Sequence, residues 1–290
     1  MQILDETIKA AVTDRLQQVE LHFASDVAFF YGSIDTSLLR GFRDFIEKMV
    51  AVRAAGRDKL IFFLNTPGGS AEAVEKMVEI IRHHYAEVYF VVPDVAFSAG
   101  TILCMAGDRI YMDYSSSLGP IDPQVFNGKD WVPALGYLDK VDALLAKSAA
   151  GTLTNAEFLI LQNQDLALMA RYEQARDLTV TLLKKWLVEY KFRNWATHRT
   201  DPLKLGQPVT PAEKQERAQQ IARKLGDNKL WHSHGRMIGP KTLSAELRLE
   251  INDYSADSVL RPLIRSYNEL LTTHIARNGY GLFMHSRDFF

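Results

Sequence analysis

Short apolar runs alternate with amphipathic stretches through the first third of the chain. Asp26 to Tyr31, Leu60 to Leu64, Val88 to Val92 and Arg109 to Met112 have the length and β-rich make-up of buried strands. Between them, Ser37 to Val52 places Leu38, Leu39, Phe42, Phe45, Ile46 and Val50 on one helical face. Ser70 to His83 does the same with Ala73, Met77, Ile80 and Ile81, and Ser70 is placed to cap it. Repeated βα units with short loops predict a mostly parallel sheet covered by helices. Residues 5 to 20 read as a surface helix. Thr154 to Arg193 is almost wholly helical, with Leu159, Leu161, Leu178, Leu182, Leu183 and Trp186 in apolar stripes. Thr200-Asp201-Pro202 and the stretch from Gly206 to Pro211 mark a hinge or exposed loop, after which Pro211 to Leu225 resumes as a charged helix. Ser258 to Ile275 is the last helical pattern. It precedes a polar and aromatic tail from Asn278 to Phe290. The expected organisation is an α/β core over 1–153, a helical extension over 154–230, and a segment over 231–290 that returns to the core.

Two turns in this pattern carry the candidate chemistry. Asn65-Thr66-Pro67-Gly68-Gly69 and Phe97-Ser98-Ala99-Gly100-Thr101 each end an apolar run and open a helix. In a βαβ unit with parallel strands both emerge at the same sheet edge. A serine at such a turn presents its hydroxyl at a helix N-terminus, where unpaired N–H groups can hold an oxyanion, and glycines admit a second backbone nearby. The plainer alternative is a tight turn at Gly68-Gly69 and a helix cap at Ser98. Neither a Gly-x-Gly-x-x-Gly fingerprint nor a Walker loop is present.

Composition narrows the classes. With 290 residues, 47% hydrophobic and 24% charged, the chain can bury a full core. Its 34 basic and 35 acidic residues leave a net charge of −1, so there is no global footprint for nucleic acid or an anionic membrane, though a local basic patch stays open. The single Cys104 cannot form an intramolecular disulfide and lies in an apolar helical stretch, as a buried small hydrophobe would. The N-terminal residues lack an apolar h-region and no stretch reaches 18 uncharged apolar residues; a cytoplasmic protein without a transmembrane segment is expected. His232 and His234 form a His-x-His pair with no acidic or cysteine partner at ligand spacing, and His83-His84 ends a helix; no metal and no cofactor are expected.

Asn65 to Gly69, the Ser98-Ala99-Gly100 turn, the Gly107-Asp108-Arg109-Ile110 strand and the loop Leu118-Gly-Pro-Ile-Asp-Pro-Gln124 together resemble the Clp protease/crotonase superfamily. The last phrase resembles most the serine dehydrogenase proteinase family, a relative of signal peptide peptidase A. Gly235 to Gly239, followed by a helix to about Leu247, resembles the superfamily's closing strand and helix. The resemblance implies repeated ββα-type units, a peptide or protein substrate, self-association into a homo-oligomer, Ser98 as nucleophile, Gly69 and Ala99 as oxyanion N–H donors, and Gly68 as their neighbour. In Clp proteases a histidine base follows the next strand; that place falls here at Pro120-Ile121-Asp122, without a histidine. Signal peptide peptidase relatives use a lysine from a later helix, where Lys140 and, less favoured, Lys147 stand. A basic lysine must be neutral. Leu135, Leu138, Val141 and Leu144 can supply an apolar site for it, whereas Asp139 and Asp142 would keep it charged. His234 falls close to where the Clp triad carries its aspartate, as base, as orienter, or simply as a strand-end cap. The implied function is a serine hydrolase that cleaves peptide bonds through an acyl-enzyme on Ser98. The alternatives are a crotonase-like acyl-coenzyme A enzyme and a non-catalytic peptide-binding or structural relative.

Overall fold

A computed structural model describes residues 2–126, 131–199 and 202–288 of the protein. Helix α1 (Gln2–Phe23) leads into strand β1 (Asp26–Gly32), then a 3₁₀ turn (Thr36–Leu38) and α2 (Leu39–Val52). Next come β2 (Lys59–Asn65), α3 (Ala71–His84), β3 (Glu87–Val92), the short β4 (Val95–Ala96), α4 (Ala99–Cys104) and β5 (Arg109–Met112). The short β6 (Ser117–Leu118) precedes a hairpin of β7 (Gln124–Phe126) and β8 (Trp131–Pro133). Four helices follow: α5 (Ala134–Ala149), α6 (Asn155–Gln162), α7 (Leu166–Trp186), which ends in a π-turn (Leu187–Lys191), and α8 (Pro211–Leu225). The chain closes through α9 (Asn228–Trp231), α10 (Pro240–Leu247), β9 (Asn252–Asp253), α11 (Leu260–Asn278) and β10 (Leu282–His285).

The main sheet has six strands in the order β10-β1-β2-β3-β5-β9, parallel throughout except for β10. Its two faces follow from the two-residue period of a strand. Ala28, Phe30, Leu60, Phe62, Leu64, Val88 and Phe90 enter one core, under α2, α3, α4, α7, α8 and α10. Val27, Phe29, Ile61, Phe63 and Val91 enter the other, under α1 and α11. Strands covered on both sides are therefore apolar along their central positions, with polar residues such as Asp26, Lys59 and Glu87 at their ends, as the uninterrupted runs predict. Phe62 packs at a tilt between Phe42 and Phe90, with ring centroids 6.1 and 5.6 Å away.

The α/β class, the mostly parallel sheet and the long helical C-terminal region agree with expectation. In the helical extension, Leu182, Leu183, Trp186, Leu187, Ala218, Ile221, Ala222 and Leu225 join the main core. By contrast α6 buries none of its residues, and Phe158, Leu159 and Ile160 on it are exposed. The closing strand expected at Gly235 to Gly239 is reduced to one bridge, Ile238 against Leu118. The tail contributes an unforeseen edge strand, β10; Phe289-Phe290, like Thr200-Asp201 of the expected hinge, lies outside the described residues. Among the described residues no helix is long and apolar enough to cross a membrane.

Candidate active site

The parallel register of β2 and β3 brings Asn65 and Val92 to the same edge, where the two turns are laced together. Thr66 N–H donates to Val95 O at 3.0 Å and Phe97 N–H to Thr66 O at 3.0 Å. Gly68 N–H donates to Thr66 Oγ1 at 3.0 Å, Ile34 N–H to Gly68 O at 2.8 Å and Ser70 N–H to Ile34 O at 2.9 Å. Neither the Gly69 nor the Ala99 N–H takes part in these bonds. Both glycines have left-handed backbones, with φ +108° at Gly68 and +146° at Gly69. Their missing side chains matter as much: a Cβ at Gly68 would lie 2.8 Å from Ser98 Cβ, and one at Gly69 would lie 1.9 Å from Ile34 O. Ser70 caps α3 as its position suggests, accepting the Ala73 N–H at 3.0 Å.

Ser98 sits at φ 51°, ψ −114°, a conformation that L-residues rarely adopt. It occupies the N-cap position of α4, yet its side chain makes no capping hydrogen bond, which sets aside the plain cap reading. The residue is half-buried, and its side chain is not spent on capping the helix. Such a strained strand-to-helix elbow raises a serine side chain above its flanking backbone. Close packing explains the glycine two residues on, because a Cβ at Gly100 would meet Thr66 Cγ2 at 2.4 Å.

The next wall of the site is the loop after β6. Thr101 Oγ1, buried in α4, lies 2.8 Å from Ala96 O and 2.9 Å from Gly119 O, and accepts the Gly119 N–H at 3.0 Å. Leu118 and Ile238 exchange backbone hydrogen bonds of 3.0 and 2.9 Å, which draws the segment holding His234 onto the same loop. Asp122, only 1% exposed, places Oδ1 2.8 Å from His234 Nδ1. Gln124 Nε2 donates to Asp122 Oδ2 at 3.1 Å. With its amide turned to satisfy both atoms, Asn228 also donates to Asp122 Oδ2 at 3.1 Å and accepts the Gly136 N–H at 2.7 Å. A buried carboxylate that accepts from Nδ1–H fixes the tautomer and leaves Nε2 as the basic nitrogen of a ring whose side chain is 29% exposed.

The sequence reading notes only that Pro120-Ile121-Asp122 lacks a histidine, and misses that the Asp122 carboxylate partners His234. Lys140 is exposed on α5, while Leu138, Val141 and Leu144 of the same helix turn inward. Its neighbour Asp139 pairs with Lys229 at 3.2 Å, and Lys147 pairs with Glu157. His232 is the left-handed C-cap of α9. Cys104 is fully buried, and burial pushes its thiol up, away from the reactive thiolate. Among the described residues no three His, Cys, Asp or Glu side chains are grouped to hold a metal ion.

The profile of the ClpP-like SDH-type serine proteinase family matches residues 41–210. The chain belongs to this family. The matched stretch includes both turns, Asp122 and Lys140, whereas His234 lies beyond it. An uncharacterised protein of Methanocaldococcus jannaschii is 32% identical over 156 residues, 50% of this chain and 53% of that relative. A second from the same organism is 35% identical over 80 residues, 27% of each chain. This family member thus spans about half the length of the curated relative that it matches most extensively. Two solved structures of the 1510-N membrane-bound stomatin-specific protease also match. A serine-to-alanine variant gives a TM-score of 0.46 at 14% identity over 81% of each chain. A lysine-to-alanine variant in complex with a substrate peptide gives 0.46 at 17% identity, over 81% of this chain and 76% of that one.

Proposed function

We propose that the protein is a serine peptidase with Ser98 as nucleophile, His234 as general base and Asp122 as the residue that positions His234. Ser98 Oγ attacks the scissile carbonyl carbon while its proton passes to His234 Nε2, and the carbonyl π electrons move to oxygen. The N–H groups of Gly69 and Ala99, with Gly68 beside them, hold that oxyanion. Collapse of the tetrahedral intermediate breaks the C–N bond, and the leaving amine takes the proton from the imidazolium. Water, activated by His234 in turn, then hydrolyses the acyl-enzyme. Substrates are peptides or proteins. The proposal includes self-association, for which the exposed Phe158, Leu159 and Ile160 of α6 offer an apolar surface.

The observation that carries this reading is the pairing of His234 with the buried Asp122, on a loop that is hydrogen-bonded to the helix Ser98 opens. Membership of a serine proteinase family supports the same chemistry. Lys140, the base implied by likeness to signal peptide peptidases, lacks the desolvated surroundings that a neutral amine requires. Turnover of internally quenched peptides tests the assignment. Ser98→Ala and His234→Ala are expected to abolish it, and Asp122→Asn to lower kcat by roughly 10²–10⁴-fold with little change in KM, because the wrong tautomer is then held. Full turnover in His234→Ala together with its loss in Lys140→Ala would move the base to the lysine.

A further inference from the structure

Helices α8 and α10 flank an open, solvent-exposed cleft of about 570 Å³ that plays no part in the peptidase reading. Its walls carry Arg217, Gln220, Arg223 and Lys224 from α8, and Glu246 and Arg248 from the end of α10. Four cations thus face one carboxylate on a chain whose net charge is −1. Two of the four have structural work. Arg217 donates to Leu247 O and, at 3.0 Å, to Gln220 Oε1; Lys224 donates to Glu246 O at 2.7 Å. These bonds satisfy carbonyls that the end of α10 leaves open.

Arg223 and Arg248 have no such duty. Both are exposed, and among the described residues neither forms an ion pair. Arg248 is the C-cap of α10 at φ 43°, a left-handed position where glycine or asparagine is usual. An arginine there puts a guanidinium at the mouth of the cleft at the expense of backbone strain. It also repels its neighbour: burial and then the charge of Arg248 lower the pKa of Arg217. The one carboxylate, Glu246, lies 3.9 Å from Lys224 Nζ, which leaves the three arginines as an excess of like charge that lowers the free energy of a bound anion. Three of the four are arginines, whose planar forks engage two phosphate oxygens at once. The volume suits a small molecule and not a protein segment.

We propose that this cleft binds a phosphate chain, as free polyphosphate or as the polyphosphate of a nucleotide, through Arg223, Arg248, Arg217 and Lys224. Titration calorimetry of the full chain with sodium tripolyphosphate tests it, with ATP and inorganic phosphate as further arms. Saturable binding at one site is expected, at least tenfold weaker in the Arg223→Gln, Arg248→Gln double variant, whose melting temperature without ligand and peptide turnover stay those of the parent. ATP binding as tightly as tripolyphosphate points to the phosphate chain as the recognised group; tighter ATP binding that the double variant also loses points to a nucleotide. Absence of saturable binding, equal affinity in the double variant, or tighter binding of hexaglutamate than of tripolyphosphate would overturn the assignment. None of these outcomes depends on whether Ser98 is a nucleophile.

Discussion

At the scale of single residues, the site depends on positions where only one side chain, or none, fits. Gly69 has φ +146° and no room for a Cβ against Ile34 O, so Gly69→Ala must break the bridge between Ile34 and the turn. A loss of about 2–3 kcal/mol is expected from backbone strain alone, read as a lower denaturation midpoint in urea, with peptidase activity lost in parallel. A parental midpoint in that variant would mean that the turn is looser than described. The turns that carry the two glycines and Ser98 were legible in the sequence because they are local: a strand end, a turn and a helix start lie within a few residues of one another. The Asp122–His234 pair was not, because its members are 112 residues apart and meet only through the Leu118–Ile238 bridge. The resemblance pointed to the stretch Pro120-Ile121-Asp122 only as lacking a histidine, and the pairing of Asp122 with His234 could be named only from the fold.

At the scale of elements, β10 shows where periodicity runs out. Four residues, Leu282–His285, are too few to declare a strand, and they are held by pairing with β1 from Phe29 to Gly32. His285 anchors this edge: it is 2% exposed and its Nδ1 lies 2.8 Å from the Tyr267 hydroxyl. Burial, and next the charge of Lys9, push its pKa from 6.5 down to about 3. The folded protein therefore keeps this ring neutral where the unfolded chain already takes up a proton. The resulting stability is complete above pH 6.5 and is lost progressively as pH falls from 6.5 towards about 3. His285→Gln keeps a polar partner for Tyr267 and removes the titration. Its melting temperature is expected to fall less than the parent's between about pH 7 and about pH 4, and identical slopes would remove His285 as the cause. The helices α2 and α3 were far easier to read, because each buries a single face against a strand already visible as an apolar run.

At the scale of the whole molecule, one sheet buried on both faces sets the frame. Its parallel strands deliver both turns to one edge, and the loop after β6, hydrogen-bonded to Thr101 of α4 and bridged to Ile238, carries Asp122 with its partner His234. The alternation of strands and helices made this class readable. The helical extension was readable as helix but not as core, since apolar stripes alone do not say whether they cover the sheet, as α7 and α8 do, or stay exposed, as on α6. The central claim is that this frame activates one hydroxyl. The most direct measurement is intact-protein and peptide mass spectrometry after treatment with a fluorophosphonate. The account predicts a single adduct on Ser98, none in Ser98→Ala, and a much slower reaction in His234→Ala and Asp122→Asn than in Lys140→Ala. An adduct of equal yield in Ser98→Ala, or labelling at parental rate in His234→Ala, would contradict it.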